Sequence, residues 1–594
     1  MKTRDVWYLF NGTAVGECAP LPGLSIDNLD MIEAKLDEVC QSPDTDLKEY
    51  PAIRFALEML QQKKCAISPI PINGLIWMGD PDFMSSQVEK KIQDGWQCIK
   101  MKIGAVDFEQ ELKILKSISG DLELRVDANG AFTESDVREK LDKLASLNLH
   151  SIEQPIGTGQ WDLLAELCRT SPVPIALDEE LIPLVDQSQR IEMLDKVKPQ
   201  YLVLKPSLLG GFAESEKWIA LAEERGIGWW VTSALESNIG LEAIAGWVSK
   251  LQPQGYQWLG TGQLFTNNIP SALQVEKGML SKSEAVIWNE IDSFVTQWLN
   301  PEPTMELQTS GSTGTPKTVK VQKEWMRNSA KLTGETFGLQ PGSSALLCMP
   351  MQFVAAKMMV IRAMELQLEL KVVEPSKTVD TGADFVAMVP LQLENSLVHL
   401  DKFRIVLVGG GQISSVLVEK LQSVATEVIE TYGMTETLTH VAAKRLNGTN
   451  KTDCFAALDG VKFEIDKRDC LVIHAPELNP EQIVTNDIVE LLNDTEFKWL
   501  GRFDNVINSG GVKIYPEVLE AKLASQLHGR RYFVAGIPDD SLGQKVVLIV
   551  EGKAEVEFDS LEKYERPKEV ISVEKFVETE TGKINRLAVL THLQ

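Results

Sequence analysis

The segment CIKMK at 98–102 is a short apolar run that ends in a lysine, and segments of the same kind follow it. They are LELRVD at 122–127, HSIE at 150–153, PIALD at 174–178 and YLVLK at 201–205. The ionisable residues that end them lie 25, 26, 25 and 27 residues apart. An interval of this length fits one strand, one helix and two short loops, so the series predicts a closed parallel β/α barrel.

Three more apolar segments complete the number of strands that a closed barrel needs. INGLIW at 72–77 precedes the series, and GWWVTS at 228–233 and YQWLGTG at 256–262 follow it, which makes eight strand ends. The carboxyl ends of parallel strands meet at one mouth of a barrel, so we expect the ionisable residues to converge there. These residues are Lys100, Lys102, Asp127, Glu153, Asp178 and Lys205.

The converging residues predict a metal site that is flanked by amines. The three carboxylates offer hard oxygen ligands of the kind that Mg²⁺ prefers, with positions left open for substrate oxygens. Such an ion acidifies the C–H bond beside a bound carboxylate, because it neutralises the charge that develops there. Lys100 and Lys102 lie two apart on one strand and both point inward, so one of them can act as the base. Lys205 comes from a strand across the barrel and should face the opposite side of the substrate.

Composition narrows the class of protein. A chain of 594 residues exceeds what a single core holds, so it should contain more than one domain. Its net charge of −26 disfavours a nucleic acid or an anionic membrane surface as partner. The start of the chain lacks a signal-peptide pattern and no apolar run is long enough to span a bilayer, which predicts a cytoplasmic protein. The cysteines and histidines are scattered, so we expect reduced thiols and no zinc site.

Sequence patterns divide the chain into five parts. Residues 1–90 are mixed strand and helix, and 91–283 are the barrel, whose last segments could pack back on the first part. A helical stretch followed by the polar break NPEPT makes 284–304 the predicted linker. Residues 305–504 contain apolar strands that end in Gly, Ser and Thr clusters, and 505–594 form a small α+β unit. The predicted fold class is therefore α/β.

The barrel pattern, together with GTAVGECAPLPGLS at 12–25, resembles the enolase superfamily within its muconate-lactonising subgroup. The 12–25 segment is similar to the mobile loop that an N-terminal α+β capping domain lays over the site in o-succinylbenzoate synthases. Those enzymes dehydrate a cyclohexadiene carboxylate (SHCHC) to o-succinylbenzoate with Mg²⁺. The resemblance implies that Lys102 is the base and then the acid of a syn elimination. It also implies that Lys100 supports the enediolate and that Lys205 places a cation against the intermediate.

A related family leaves an alternative open at the same barrel. Dipeptide epimerases share the lysines and carboxylates, but they usually carry Asp-x-Asp after the eighth strand. This chain reads GTGQLF at 260–265, which argues against an epimerase. Ser233 and Gly262 lie at strand ends and would line the substrate pocket, although small residues at such positions also occur simply as turns.

The second half carries a different set of motifs. TSGSTGTPK at 309–317 is rich in Gly, Ser and Thr, and it lacks the spacing of a Walker A loop. Small residues of this kind let backbone N–H groups and hydroxyls surround phosphate oxygens. The order TSGSTGTPK, TYGMTET, TND, GRFDNVINSGG and TGKINR resembles the adenylate-forming acyl-CoA synthetase superfamily over 305–594.

The second resemblance implies a role for each matching residue. The β- and γ-phosphates of ATP would be held by Thr309, Ser310, Ser312, Thr313 and Lys317. Tyr432 would stack on adenine, and Glu436 would hold Mg²⁺ against the triphosphate. Asp487 would accept both ribose hydroxyls, with Arg502 also reaching the ribose. Lys583 would bridge the attacking carboxylate and the α-phosphate.

Two features depart from the usual pattern of that superfamily. Only about 25 residues separate the predicted barrel from the phosphate loop, so the front subdomain is missing or replaced, and with it half of the usual acyl pocket. The segment MPMQFVAAKMM at 349–359 lacks the histidine often found there, and Lys357 is a candidate contact for a substrate carboxylate. Asp504 matches the hinge about which the small, mobile C-terminal subdomain turns.

The two resemblances together predict a bifunctional enzyme of menaquinone biosynthesis, a lyase joined to an acid–CoA ligase. The first product would be the second substrate, with Mg²⁺ as cofactor and ATP and CoA as cosubstrates. The expected partners are therefore small molecules, and the sequence leaves the oligomeric state open. Two alternatives remain: an epimerase or racemase barrel joined to a synthetase of other specificity, and a scaffold with a degenerate synthetase half.

Overall fold

The computed structural model describes residues 4–42, 44–62, 66–105, 107–118, 122–262, 264–265, 267–308, 318–411, 413–527, 529–559, 561–578 and 584–593. The chain divides into two compact units, Met1–Pro301 and Glu302–Gln594. The division falls inside the predicted linker at 284–304.

The first unit is built around a parallel sheet whose strands follow one another in chain order, β4 to β10. The strands of the whole first unit are β1 Trp7–Asn11, β2 Ala14–Cys18, β3 Ile70–Pro71, β4 Gly74–Ile76, β5 Cys98–Lys102, β6 Glu123–Asp127, β7 Ser151–Glu153, β8 Ile175–Leu177, β9 Tyr201–Leu204, β10 Gly228–Val231, β11 Leu273–Glu276 and β12 Met279–Lys282. Parallel bridges from Gln257 to Ile72 and from Trp258 to Thr232 connect the two edges of the sheet through an eighth segment. The barrel therefore closes as the spacing predicts.

The helices of the first unit are α1 Ile32–Gln41, α2 Pro51–Gln61, α3 Pro81–Gln93, α4 Phe108–Ser117, α5 Val137–Leu144, α6 Trp161–Thr170, α7 Gln187–Val197, α8 Pro206–Leu209, α9 Phe212–Glu223, α10 Asn238–Leu251 and α11 Ile287–Leu299. Those from α3 to α10 alternate with the strands of the sheet and cover its outer face. Asp80, Asp107 and Ser237 each accept a backbone N–H at the start of α3, α4 and α10, as N-cap residues do. The outward side chains of the strands, such as Val126 and Ile152, are fully buried in one continuous core with the helices.

The hairpin β1–β2 packs on α2 in the region before the barrel. Gly16 permits the close approach, because a Cβ at this position would lie 2.1 Å from the carbonyl oxygen of Ala56. At the other end of the unit, β12 pairs with β3, so the segment after the barrel returns to the segment before it. The structure also places β4 in the barrel sheet and β3 outside it.

The second unit contains an eleven-stranded mixed sheet and a smaller five-stranded one. Its strands are β13 Thr304–Gln308, β14 Thr318–Gln322, β15 Ser344–Leu347, β16 Glu369–Val372, β17 Ala383–Met388, β18 Phe403–Val408, β19 Glu427–Gly433, β20 His440–Arg445, β21 Phe455–Ala457, β22 Lys462–Ile465, β23 Cys470–Ala475, β24 Asn479–Asn493, β25 Glu496–Arg502, β26 Ile507–Ser509, β27 Val512–Ile514, β28 Tyr532–Asp539, β29 Gly543–Glu551 and β30 Glu569–Val573. The large sheet runs in the order β16-β15-β17-β18-β19-β20-β21-β25-β24-β23-β22, and its first five strands are parallel.

The second unit has six described α-helices, against eleven in the first. They are α12 Lys323–Phe337, α13 Val354–Glu365, α14 Pro390–Asn395, α15 Ser415–Leu421, α16 Pro516–Leu523 and α17 Arg586–Leu593. The antiparallel pair β28–β29 and α16 share a separate core near the carboxyl end, which includes Leu519, Val534 and Leu548. In neither unit is a described helix both long and apolar enough to cross a membrane. The α/β fold class predicted from the sequence is confirmed.

Candidate active sites

The barrel rim brings together all six ionisable residues that the spacing singled out. Parallel register places Lys102 beside Asp127 and Asp127 beside Glu153. The Lys100 Nζ lies 2.9 Å from Asp127 Oδ2 and 2.7 Å from Glu153 Oε2, and the Lys102 Nζ lies 3.7 Å from Asp127 Oδ2. Across the rim, Lys205 forms an ion pair with Asp178. The convergence expected from a parallel barrel is therefore present.

Burial and mutual charge set the protonation of this cluster. Burial disfavours the Lys100 ammonium, but Asp127 and Glu153 outweigh it and raise the pKa of Lys100. Burial would raise the pKa of Asp127, yet Lys100 and Lys102 lower it to about 2. Burial and the neighbouring charge of Asp127 raise the pKa of Glu153 well above its usual range. The Lys100 Nζ also lies 4.4 Å from the centre of the Trp258 ring, which favours a cation there.

The acceptor atoms of the rim fit a hard cation by their chemistry. Asp178 Oδ1 and Glu179 Oε2 are buried and have no hydrogen-bond partner among the described residues. Buried acceptors of this kind normally have a donor or an ion beside them. In the described part of the chain, however, no three His, Cys, Asp or Glu side chains are arranged as a metal-binding group, and the Lys100 ammonium contacts two of the three carboxylates. The assignment of Asp127, Glu153 and Asp178 to Mg²⁺ remains a prediction.

Two further polar residues complete the rim and were not found from the sequence. The Lys102 Nζ donates to Asn129 Oδ1 at 2.7 Å, and Asn129 Nδ2 donates to Glu179 Oε1 at 3.0 Å. Asn129 has a left-handed backbone with φ of +43°, and its own N–H donates to Asp127 Oδ1 at 3.0 Å. Burial and the charge of Asp178 raise the pKa of Glu179 to about 7. The signal in the sequence was the Asp-Ala-Asn-Gly turn, since asparagine tolerates the left-handed conformation.

Ser233 and Gly262 lie at the carboxyl ends of the seventh and eighth barrel segments. Ser233 Oγ donates to Glu236 Oε2 at 2.5 Å and accepts from Thr261 Oγ1 at 2.8 Å and Leu235 N at 3.0 Å. A Cβ at Gly262 would lie 2.6 Å from Asn238 Oδ1, so close packing requires glycine there. Contact of Ser233 or Gly262 with substrate remains a prediction.

In the second unit, four of the predicted nucleotide-binding and hinge residues form one polar cluster. Asp487 and Arg502 are cross-strand neighbours on β24 and β25. Tyr432 Oη donates to Asp487 Oδ2 at 2.7 Å, and the Arg502 Nε lies 3.8 Å from Asp487 Oδ1. Arg502 Nη2 donates to Asp504 Oδ2 at 3.3 Å. Burial and the charge of Asp487 raise the pKa of Tyr432 well above its usual range, so its hydroxyl stays protonated as a donor.

Glu436 follows this cluster in the turn after β19, where its side chain is exposed. The remaining predicted residues fall outside the described part of the chain: Thr309, Ser310, Ser312, Thr313, Lys317 and Lys583. The strands on either side of residues 309–317 are antiparallel, and Gln308 of β13 pairs with Thr318 of β14. Three residues after Lys583 in the chain, Arg586 Nη2 donates to Glu520 Oε2 at 2.8 Å.

Arg362 on α13 is a buried cation that sequence reasoning missed. Only 2% of its surface is exposed, and none of the described carboxylates forms an ion pair with it. Its Nε donates to Thr333 Oγ1 at 3.1 Å and its Nη2 donates to Thr439 Oγ1 at 2.9 Å. Burial lowers the pKa of Arg362 to about 10, so the side chain stays charged. The signal in the sequence was an arginine inside the apolar helix VAAKMMVIRAME. Lys357, the candidate carboxylate contact on the same helix, is half-buried, and this burial lowers its pKa.

The two halves of the chain match different families of known proteins. Residues 84–285 match the family described as enolase C-terminal domain-like, and residues 269–464 match the family described as AMP-binding enzyme. The o-succinylbenzoate synthase of Desulfotalea psychrophila is 52% identical over 253 residues, which are 39% of this chain and 68% of that protein. The 2-succinylbenzoate–CoA ligase of Lactococcus lactis is 24% identical over 442 residues, which are 69% of this chain and 92% of that protein.

This chain is also similar to a solved structure. It is an acyl-CoA synthetase (AMP-forming)/AMP-acid ligase II-like protein from Dyadobacter fermentans, 35% identical, with 52% of this chain and 96% of that chain covered and a TM-score of 0.37. The matches define an enolase-superfamily barrel joined to an AMP-binding enzyme domain. The chain belongs, through its first half, to the o-succinylbenzoate synthase family. The prediction of an enzyme with a lyase half and a ligase half is confirmed.

Proposed function

We propose that this chain catalyses two consecutive steps of menaquinone biosynthesis. The barrel would dehydrate SHCHC to o-succinylbenzoate in an Mg²⁺-dependent syn elimination. The second unit would then convert o-succinylbenzoate to its CoA thioester with ATP and CoA. The observation that carries the first step is the rim on which two inward lysines of one strand face Lys205 across three buried carboxylates.

The barrel residues divide the elimination between them. Asp127, Glu153 and Asp178 would hold Mg²⁺, which when bound supplies positive charge against the electrons that the breaking C–H bond leaves on the substrate. Lys102 takes that proton at Nζ and returns it to the departing hydroxyl, which leaves as water. Asn129 orients Lys102 through its 2.7 Å contact. Lys205 is held on the opposite side of the rim by its ion pair with Asp178.

The synthetase residues serve a carboxylate and a nucleotide. Asp487, backed by Tyr432 and Arg502, offers a carboxylate that can accept two ribose hydroxyls. Glu436 would hold Mg²⁺ at the triphosphate, and the five residues of the 309–317 loop would hold its β- and γ-phosphates. Lys583 would reach the reacting carboxylate, and Asp504 would be the hinge.

Arg362 indicates what kind of acid this unit accepts. A guanidinium that is buried with hydroxyl partners alone is costly, and a carboxylate repays that cost through charge-assisted hydrogen bonds. o-Succinylbenzoate has two carboxylates, of which one becomes the thioester and the other keeps its charge. We infer that Arg362 binds the carboxylate that is not activated. An acid with a single carboxylate would leave Arg362 with its two threonine hydroxyls but without a negatively charged partner.

The test follows both products by mass detection. Purified protein receives SHCHC and Mg²⁺, then ATP and CoA, and the expected products are o-succinylbenzoate followed by o-succinylbenzoyl-CoA. N-Succinylamino acids and dipeptides are given in parallel, with deuterium exchange at the α-carbon as readout. Exchange without dehydration would replace the proposal with a racemase or epimerase. A thioester formed from other acids but not from o-succinylbenzoate would refute the second step.

A further inference from the structure

Glu236 is a fully buried carboxylate that lies just behind the barrel rim and that no step above uses. Its Oε1 accepts a short hydrogen bond from Ser207 Oγ. Its Oε2 accepts from Ser233 Oγ at 2.5 Å and from the backbone N–H of Ala234 at 2.9 Å. A buried carboxylate is costly unless its oxygens receive donors, and here the donors come from α8 and from the loop that follows β10. The carboxylate therefore joins rim segments to one another.

The Ser207 arm leads directly to Lys205. Lys205 is the N-cap residue of α8, and its carbonyl oxygen accepts from Leu208 N at 2.9 Å and from Leu209 N at 3.0 Å. Ser207 lies in the first turn of this short helix, so its bond to Glu236 fixes the turn from which Lys205 projects. The opposite end of the Lys205 side chain is fixed by Asp178. Lys205 is thus held at its backbone and at its ammonium.

The Ser233 arm extends to the eighth strand. Thr261 Oγ1 donates to Ser233 Oγ at 2.8 Å, so one chain of hydrogen bonds runs from α8 through Glu236 to the last barrel segment. The loop that carries Glu236 is strained, since Leu235 has a φ of +65°. A leucine holds this left-handed conformation only where its surroundings enforce it.

The loop is also tied to the hairpin before the barrel. Glu17, at the end of β2, accepts from Ser237 N at 2.7 Å, from Ser237 Oγ at 2.5 Å and from Gly240 N at 2.8 Å. Tyr8 Oη donates to Ser237 Oγ at 3.3 Å. The residue next to Glu236 is therefore anchored by the hairpin that leads into the segment at 19–25.

We propose that Glu236 is a positioning residue for Lys205, acting through Ser207, and that Glu17 and Ser237 hold the Glu236 loop in place for that task. Glu236 takes no proton from substrate and contacts no reacting atom. It sets the direction of the Lys205 ammonium toward the negative charge that forms during dehydration. The proposal rests on the proposed dehydration, which requires that the Lys205 side of the site be rigid.

The experiment compares four variants of the full-length protein with wild type. Glu236→Gln removes the charge at constant shape, and Ser207→Ala removes only the link to the Lys205 turn. The double variant tests their coupling. Glu520→Gln is the control, because Glu520 is also a buried carboxylate but lies in the second unit, where it accepts from Val534 N and Arg586 Nη2. Kinetics with SHCHC are measured together with hydrogen exchange of the peptide that contains residues 205–211.

We expect Glu236→Gln to lower kcat on the order of 10- to 100-fold with KM unchanged, because a misplaced group costs transition-state rather than ground-state binding. Ser207→Ala should change kcat in the same direction, and the double variant should be no slower than Glu236→Gln, since both remove one link. Exchange at 205–211 should rise in these variants and stay at the wild-type level in Glu520→Gln.

Three results would overturn the proposal: a wild-type kcat in Ser207→Ala, additive effects in the double variant, or unchanged exchange at 205–211. If Glu236→Gln does not fold, Ser207→Ala decides alone. If wild-type protein does not convert SHCHC, the proposed function fails, and the exchange measurement still decides whether Glu236 fixes the Lys205 turn.

Discussion

Lys102 differs from the other rim lysines because its side chain is the most exposed of the three. It lies 2.7 Å from Asn129 Oδ1 and 3.7 Å from Asp127 Oδ2, and its side chain retains 16% exposure. Lys100 is instead enclosed between two carboxylates and the Trp258 ring. A group that moves a proton to and from substrate needs access to it, so Lys102 suits that task and Lys100 suits charge stabilisation.

Lys102→Ala should abolish dehydration and leave ATP-dependent thioester formation intact. Removal of a sole acid and base should lower the rate by about 10³-fold or more. The measurement is SHCHC consumption, with o-succinylbenzoate and ATP supplied to the same preparation as the control. Near wild-type dehydration in this variant would show that another group is the base.

Asp127→Asn and Asp178→Asn should each weaken the Mg²⁺ dependence of the barrel reaction alone. Each change removes one anionic oxygen from a hard-ion site and leaves the side-chain volume the same. The dehydration rate is titrated with Mg²⁺, and Asp195→Asn serves as control because that surface carboxylate pairs with Arg225. An unchanged titration in both variants would rule out these carboxylates as metal ligands.

Arg362→Met should raise the KM for o-succinylbenzoate while the KM for ATP stays constant. Loss of a buried charge partner costs about 2 kcal/mol or more, which is roughly 30-fold. Arg362→Lys keeps the charge and should recover part of the affinity, whereas Arg404→Met, at an exposed position on β18, should have no effect. Equal KM values for the acid in Arg362→Met and wild type would contradict the inferred carboxylate contact.

At the scale of elements, the parallel strands explain why so much of the barrel site was predictable. In-register strands align the residues that end them, so the spacing of charged strand ends encodes their convergence. Asn129, Glu236 and Arg362 were not predictable in this way. Their roles depend on a left-handed turn, on a strained loop, and on hydroxyl partners that lie 29 and 77 residues from Arg362 along the chain. Strand periodicity carries no information on such contacts.

The start of α2 provides a test of stability against pH. Asp27 Oδ1 accepts from Ala52 N at 3.2 Å in the first turn of this helix, and burial raises the pKa of Asp27 to about 6. Because the folded-state pKa lies above the unfolded value, the folded state is favoured while Asp27 is protonated. This contribution is lost as pH rises from about 4 to about 6.

Asp27→Asn should therefore raise the thermal midpoint of the barrel unit at pH 7.5 relative to wild type. The difference should vanish near pH 4, where Asp27 is protonated in both folded and unfolded chains. Thermal unfolding across that pH range measures it, with Asp30→Asn as a control at a nearby exposed carboxylate. A variant that is less stable at pH 7.5 would mean that the ionised Asp27 carboxylate, rather than the neutral carboxyl group, stabilises the start of α2.

At the scale of the whole molecule, each unit has its own core and its own set of site residues. The segment NPEPT at 300–304 is short and polar, without an apolar run that would line a channel. These features favour two enzymes that share a chain and exchange their intermediate through solvent. The shared chain would then raise the local concentration of o-succinylbenzoate only modestly.

An isotope-dilution experiment tests this exchange. Labelled SHCHC is converted in the presence of excess unlabelled o-succinylbenzoate, ATP and CoA. Free exchange predicts that label in the thioester falls in proportion to the added pool. Label that persists undiluted would require a protected path from one site to the other.

The pairing of β12 with β3 has a consequence for the origin of such a chain. It brings the segment that leaves the barrel back to the segment that enters it, so the circuit of strands is complete before α11 begins. A coding sequence joined after α11 adds a second unit while the strand pairing of the first stays complete. The same closure allows the two genes to separate again at little structural cost. The strand pairing of the barrel unit thus presents no structural barrier to gaining or losing the second unit.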